Sequence, residues 1–219
     1  MRTKDWKPAE PARLLVIGED SNLQWTDQLP DFPMFADYYF RKIPYDLGER
    51  SRYMESKNLF EMIKTLTDFT YKVDEVYVTN LCNDSLERAP KGKRTLIPEA
   101  KALKGIEHIQ YILDTNPEIN LIFACSMQVN YWLQKSGLVE PNEEFLKGAE
   151  PRRTGINSLQ PFYQPVNPKS FQDVCAKFTK LVGRDIKVLP LLPMKDYPLR
   201  DKNLELYGEA YLEVIKSFE

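Results

Sequence analysis

Four short runs of almost uninterrupted apolar residues limit the folds that are open to this chain. They lie at residues 13–18, 73–81, 119–125 and 186–192, and segments of helical character separate them. Continuous apolarity is typical of strands buried on both faces, because a half-exposed strand alternates apolar and polar residues. The order of strands and helices therefore predicts an α/β fold, namely a three-layer α/β/α sandwich with a central, mainly parallel four-stranded sheet.

Apolar residues recur three or four positions apart between these runs, as in helices with one buried face. One such segment starts near residue 59, a second opens at Pro98-Glu99, and a third opens at Ser170. The third helix is expected to bury Phe171, Val174, Cys175, Phe178 and Leu181, and a last helix is expected to carry Leu204, Tyr207, Tyr211, Leu212 and Ile215. No repeat interrupts the pattern, so we expect a single domain over residues 1–219, with residues 1–12 as an N-terminal extension.

Composition excludes several classes of protein. The 219 residues carry a net charge of −2, which excludes a strongly basic coat for nucleic acid but leaves room for a local basic patch. Three dispersed cysteines and one histidine provide neither a disulfide framework nor the usual zinc-ligand spacing. The chain has no apolar run long enough to cross a bilayer and no signal-peptide pattern. We therefore expect a soluble cytoplasmic protein without a metal.

Polar residues follow the strands at the edge where ligands bind in open parallel sheets. Asp20 stands after Gly18 at the end of the first strand, where its carboxylate would polarise a water, stabilise a cation or hold a metal; capping the next helix is the simpler interpretation. Asn80 ends the second strand, and its amide suits the reading of a base edge. An Asx turn is an equally common role for such a residue. His108 is interpreted as structural.

Two further segments carry features typical of nucleic-acid contacts. Residues 87–94 form the densest basic cluster, and residues 192–200 combine prolines, cations and apolar side chains in a loop able to enter a base stack. A solvated loop and a proline-rich helix lead-in are the ordinary alternatives. Two long connections, residues 19–56 and 140–169, are also expected to be either functional or disordered.

Taken in order, these motifs resemble the uracil-DNA glycosylase superfamily over roughly residues 13–218. Residues 15–20 are similar to the Gly-x-Asp turn after strand one, and residues 77–81 with 93–99 are similar to a "TNxxxCxPPxxRxPxxxE" stretch. Residues 121–125 and the helix at 127–134 are similar to the strand and short helix that come next. The chain departs from the family where Leu192-Pro193 replaces His-Pro, and where Ser21 and Asn22 replace the proline and second glycine.

The resemblance implies a DNA glycosylase that flips out uracil or another damaged base and hydrolyses its N-glycosidic bond. In the implied site, Asp20 acts on the water and on the sugar cation. The base is bound by Asn80, Phe32, Phe35, Gly18 and Glu19, and the nucleic acid is contacted by Lys195, Arg200, Tyr197, Lys93 and Arg94. Met194, Tyr197 or Leu199 would fill the space that the flipped base leaves in the stack. DNA is the expected partner of a monomeric protein that needs no cofactor and no obligate protein partner.

Two other hypotheses stay open at this stage. A protein of the same fold that has lost catalysis would still bind a nucleic acid or a nucleotide. An unrelated α/β hydrolase would act on nucleosides or small phosphoesters, with Asp20 and Glu19 as general acid and base or as metal ligands. The residues alone do not distinguish DNA from RNA or identify the base.

Overall fold

A parallel sheet organises the structure, a computed structural model that describes residues 3–20, 31–41, 50–67, 71–84, 86, 89, 94–152, 162–174 and 177–191. The strands are β1 (Leu14–Asp20), β2 (Val76–Cys82), β3 (Arg94–Thr95), β4 (Leu121–Cys125), β5 (Phe162–Tyr163), β6 (Thr179–Lys180) and β7 (Lys187–Leu191). The main sheet has five strands in the order β2-β1-β4-β7-β6, and β3 pairs with β5 in a separate ribbon. Strands β2, β1, β4 and β7 are parallel to their neighbours in that order, while β6 is antiparallel to β7.

Helices pack on both faces of the main sheet. They are α1 (Ala36–Phe40), α2 (Arg50–Leu66), α3 (Glu99–Thr115), α4 (Met127–Lys135) and α5 (Glu143–Ala149). Asn80 faces Met34, which precedes α1, whereas the next residue, Leu81, lies against Gly105 of α3. Because neighbouring residues of a strand point to opposite faces, α1 and α3 lie on opposite sides of β2. The prediction of an α/β fold with a mainly parallel sheet is confirmed.

The apolar runs became strands because both faces of each are covered. Every residue of β2 and of β4 is buried, as continuous apolarity requires. The predicted helices that open near residue 59 and at Pro98-Glu99 correspond to α2 and α3. The short helix expected at 127–134 is α4.

Two parts of the predicted fold are wrong. The sheet contains a fifth strand, β6, rather than four strands alone. The helix expected from Ser170 ends after one 3-10 turn at Asp173, and Thr179 lies in a strand, where it pairs with Val188. Pairing with β7 provides hydrogen bonds that a longer helix would forgo, and Gly183, at a φ of 76°, turns the chain between the two strands. The last predicted helix lies outside the described residues.

The N-terminal residues cover the outer edge of β2. Trp6 and Val78 exchange backbone hydrogen bonds of 2.9 and 3.0 Å, and the Thr3 amide donates to the carbonyl oxygen of Asn83 at 2.9 Å. An uncovered strand edge presents unpaired backbone groups. Residues 3–6 therefore close this edge and join the N-terminal segment to the strand that carries Asn80.

Candidate functional site

The carboxyl ends of β1 and β2 bring together three of the predicted site residues. Gly18 is the register partner of Asn80, and Asp20 is the partner of Cys82. Adjacent parallel strands deliver their final residues to one edge of the sheet, which is where ligands bind in folds of this class. The structure therefore places Gly18, Asn80 and the backbone of Asp20 side by side, although Asn80 is about 60 residues from the other two in the chain.

Gly18 allows the Asn80 side chain to approach the backbone of β1. A Cβ at position 18 would overlap Asn80 Oδ1 and would lie 3.2 Å from Cε and 3.3 Å from Cγ of Met34. Asn80 is only 1% exposed. The amide of Asn80, the bare backbone at Gly18 and the Met34 side chain thus form one packed cluster, which we call the Gly18–Asn80 cluster.

A turn in an uncommon backbone conformation covers the Gly18–Asn80 cluster. Met34 and Phe35 follow Pro33 with φ values of 52° and 51°, and both are buried. The left-handed region costs a non-glycine residue about 1–2 kcal/mol, and such strain concentrates at functional sites. Ser56 Oγ on α2 donates a 2.9 Å hydrogen bond to the Phe35 carbonyl oxygen, which holds the turn in place.

Glu19 lies on the opposite face of the sheet from the Gly18–Asn80 cluster and contacts α4. Its carboxylate accepts a hydrogen bond from Nε2 of Gln128, which stands in the first turn of α4. The same Nε2 donates to the Thr95 carbonyl oxygen at 2.8 Å, and Gln128 Oε1 accepts from the Ile97 amide at 3.1 Å. Gln128 therefore joins the end of β1 to the segment around β3.

The β3–β5 ribbon brings a cation and a phenol to the same region. Arg94 is the register partner of Tyr163, and the Tyr163 hydroxyl donates a 2.7 Å hydrogen bond to the Ala149 carbonyl oxygen. Burial raises the pKa of Tyr163, the negative charge of Glu19 raises it further, and Arg94 acts in the opposite direction. The phenol thus stays neutral, and Glu19 and Arg94 both act on it electrostatically.

The end of β4 contributes a buried thiol and a helix cap. Burial raises the pKa of the Cys125 thiol, which disfavours the thiolate form that acts as a nucleophile. The next residue, Ser126, accepts a 3.1 Å hydrogen bond at Oγ from the Val129 amide and so caps α4. Its φ of 153° with a ψ of 167° lies in a region that glycine adopts more easily.

Substitutions at Ser126 should distinguish two contributions to the free energy of unfolding, the hydrogen bond of its side-chain cap and the cost of its backbone conformation. We expect Ser126→Ala to lower the free energy of unfolding by about 1 kcal/mol, since it loses the cap and keeps the strained backbone. We expect Ser126→Gly to change it by only a few tenths of a kcal/mol, because relief of the backbone offsets the lost cap. Urea denaturation of both variants is the measurement. Equal losses in the two variants would contradict the role of the backbone angle.

Two other predicted residues take part in packing. Phe32 meets the Trp6 ring edge-on, with centroids 5.4 Å apart, and the guanidinium of Arg41 lies 5.2 Å from the centroids of both rings. His108 Nε2 donates a 2.6 Å hydrogen bond to the Asp5 carboxylate. This contact agrees with the interpretation of His108 as structural.

Several predicted residues fall outside the described part of the chain. They are Lys93, Met194, Lys195, Tyr197, Leu199 and Arg200. Their assignment to nucleic-acid contacts stays a prediction.

Sequence reasoning missed three residues that shape this region: Met34, Gln128 and Tyr163. Gln128 carried a usable signal, because it is a polar residue in the largely apolar stretch from 121 to 133. Nothing in the local pattern distinguishes Met34 from a core residue. Tyr163 reaches the region only through the pairing of β3 with β5.

Comparison with known proteins identifies no relative from which a function could be transferred, so the function is inferred from the geometry of the site. No protein-family model matches the chain, and no curated protein matches it significantly. Within the described ranges, no helix is long and apolar enough to span a bilayer. The same residues contain no group of three or more His, Cys, Asp or Glu side chains able to hold a metal ion.

Proposed function

We propose that this protein is a DNA glycosylase that extrudes uracil or another damaged base and hydrolyses the bond between base and sugar. The single observation that carries the proposal is the Gly18–Asn80 cluster. An asparagine amide lies directly against a glycine backbone at the carboxyl ends of two parallel strands, and Asp20 follows two residues later. An amide reader and a carboxylate are the two groups that such a reaction requires.

Asn80 would recognise the base. Its amide has one acceptor oxygen and two N–H donors, which match the alternating donors and acceptors on the edge of a pyrimidine. Gly18 favours this role, because the absence of a Cβ allows the Asn80 amide to lie directly against the end of β1. Phe35, in the turn over this cluster, would stack on the base.

Asp20 would act on the sugar side. When the glycosidic bond breaks, the pyrimidine leaves with the bonding electron pair and the sugar becomes cation-like. A carboxylate at the end of β1 would stabilise that cation and orient the attacking water, which gives its oxygen to the sugar carbon and its proton to the departing base or solvent. With Leu192 where the resembled family has histidine, the Asn80 N–H groups are the donors proposed for the departing oxygen.

DNA binding would rely on local cations, since the net charge of the chain is −2. Arg94 and Lys93 on one segment, and Lys195, Tyr197 and Arg200 on another, are the proposed contacts with the phosphates and the opened stack. The site would serve a single subunit in the cytoplasm, without a cofactor.

Detection of abasic sites tests the proposal. The protein is incubated with a uracil-containing duplex, the matching single strand and an undamaged duplex, and the products are treated with alkali. We expect strand breaks at the uracil position alone. Tight binding without breaks would favour the non-catalytic protein of the same fold. A lack of both would contradict the proposal.

The salt dependence of binding checks the phosphate contacts. Neutralising several phosphates releases counterions, so we expect affinity for a uracil-containing duplex to fall at least about tenfold between roughly 50 and 200 mM salt. Fluorescence anisotropy with a labelled oligonucleotide measures the change. An affinity independent of salt would contradict the assigned cations.

A further inference from the structure

Gln128 makes hydrogen bonds at both ends of a buried amide. The side chain is 0% exposed, and its partners are the Ile97 amide, the Thr95 carbonyl oxygen and the Glu19 carboxylate. A buried polar group that loses a partner costs about 1–3 kcal/mol. The three partners therefore hold this side chain in one orientation.

The backbone around β3 determines which end of the Gln128 amide faces Glu19. The Ile97 N–H needs an acceptor, so it selects Oε1; the Thr95 carbonyl needs a donor, so it selects Nε2. A flipped amide would place oxygen against oxygen at Thr95 and at Glu19. The remaining N–H on Nε2 is consequently directed at Glu19 by contacts that do not involve Glu19.

The surroundings of Glu19 favour a carboxylate held in a fixed position. Gln128 stands in the first turn of α4, whose N-terminal dipole attracts negative charge. Among the described side chains, the titratable and charged groups that act on this region are Arg94 on β3, Tyr163 on β5, and Tyr131 on α4 with Glu99 and Glu150 near it.

We propose that Gln128 is a positioning residue that acts through Glu19, holding its carboxylate at the end of β1, on the face of the sheet opposite the Gly18–Asn80 cluster and one residue before Asp20. The inference deepens the proposed function and rests on it. Glu19 precedes Asp20, so the orientation of its side chain also restrains the backbone that presents Asp20. Without the hydrogen bond from Gln128, the Glu19 side chain would adopt more than one conformation, and the end of β1 would be less well fixed.

Gln134 provides a matched control on the same helix. It is also a buried glutamine, at 4% exposure, and its Oε1 accepts a 2.7 Å hydrogen bond from the Asn142 amide. Gln134→Met removes one buried hydrogen bond from α4 without touching Glu19. Gln128→Met and Gln128→Glu are the test variants, and urea denaturation identifies the solution conditions in which all variants are folded.

Single-turnover base release on a uracil duplex gives the first readout. We expect Gln128→Met to lower the rate constant about tenfold to a hundredfold, with KM changed less than about threefold, because misplacement of a site group affects the chemical step. We expect Gln134→Met to stay within about threefold of the unsubstituted protein. Equal rate losses in the two Met variants would overturn the inference.

Titration of Glu19 gives a second readout that needs no activity. Carbon-13 NMR follows the Glu19 carboxyl, assigned by its loss in Glu19→Gln. In Gln128→Glu two carboxylates face each other, so we expect the pair to take up a proton at a pH about one unit or more higher, and the acidic limb of the rate profile to move with it. We expect Gln134→Glu to leave the Glu19 signal unchanged.

The two readouts separate the possible failures. An unshifted Glu19 titration in Gln128→Glu would overturn the inference, whether or not base is released. If the unsubstituted protein releases no base while the titration shifts as expected, the proposed function is contradicted and the control of Glu19 by Gln128 is supported.

Discussion

Gly18→Ala is expected to reduce base release about a hundredfold or more while the protein stays folded. The added Cβ would overlap Asn80 Oδ1 and crowd the Met34 side chain, so the amide must leave its place against β1. Misplacement of a substrate-binding group by about 1 Å costs about a hundredfold in rate. Overpacking at a buried site costs about 1–3 kcal/mol of stability, which circular dichroism during urea denaturation will detect.

Gly137→Ala is the control for this substitution. Gly137 has a φ of 75° with no atom within 4 Å of an added Cβ. Alanine there introduces backbone strain of about 1–2 kcal/mol without touching the site. We expect base release at near the unsubstituted rate from this variant. A Gly18→Ala protein with the unsubstituted rate would show that the Gly18–Asn80 cluster does not bind the base.

Asp5→Ala is expected to destabilise the protein by about 3 kcal/mol or more. The Asp5 carboxylate accepts hydrogen bonds from the hydroxyls of Thr79 and Tyr77, at 2.8 and 3.0 Å, and from the Asn83 amide at 2.9 Å. It also contacts His108 Nε2 at 2.6 Å. Removal leaves these groups, at the edge of β2, without their shared acceptor. Urea denaturation measures the loss, with Asp185→Ala as an exposed control expected within about 0.5 kcal/mol.

The contribution of Asp5 to the free energy of unfolding should depend on pH. Burial raises the pKa of Asp5, but the hydrogen bonds from His108, Thr79 and Tyr77 and the charge of His108 outweigh it, so the pKa lies below 3.8. A pKa depressed in the folded state adds stability above the unfolded pKa, and that stability is lost as pH falls through the folded pKa. The stability difference between the unsubstituted protein and Asp5→Ala should be full above about pH 5 and shrink below pH 3.8. A difference that does not change with acid would contradict this assignment.

Local patterns predicted the strands of the sheet better than they predicted its edges. The runs at 119–125 and 73–81 are apolar because both faces are buried, and that requirement is visible in the sequence. The segment after Ser170 has helical spacing, yet pairing of Thr179 with Val188 decides its structure. Such pairing depends on residues distant in sequence, so spacing alone could not reveal it.

The same distinction between local patterns and contacts of distant residues applies to the candidate site. Gly18 and Asn80 could be predicted as neighbours because parallel strands end at one edge. Met34 could not, since its role depends on a turn at 33–35. The polarity of Gln128 could mark it as a candidate, but its partners depend on the position of β3 relative to α4. The partnership of Asp5 with His108 joins residues about 100 positions apart and has no local signature.

The most direct test of the central claim is to measure single-turnover uracil release by the unsubstituted protein and by Asp20→Asn. Asp74→Asn is the control, because Asp74 lies near the opposite end of β2. We predict release by the unsubstituted protein and by the control, and a loss of at least about a hundredfold in Asp20→Asn with duplex binding retained. Uracil released equally well by Asp20→Asn, or by none of the three proteins, would contradict the claim that this sheet edge is a glycosylase site.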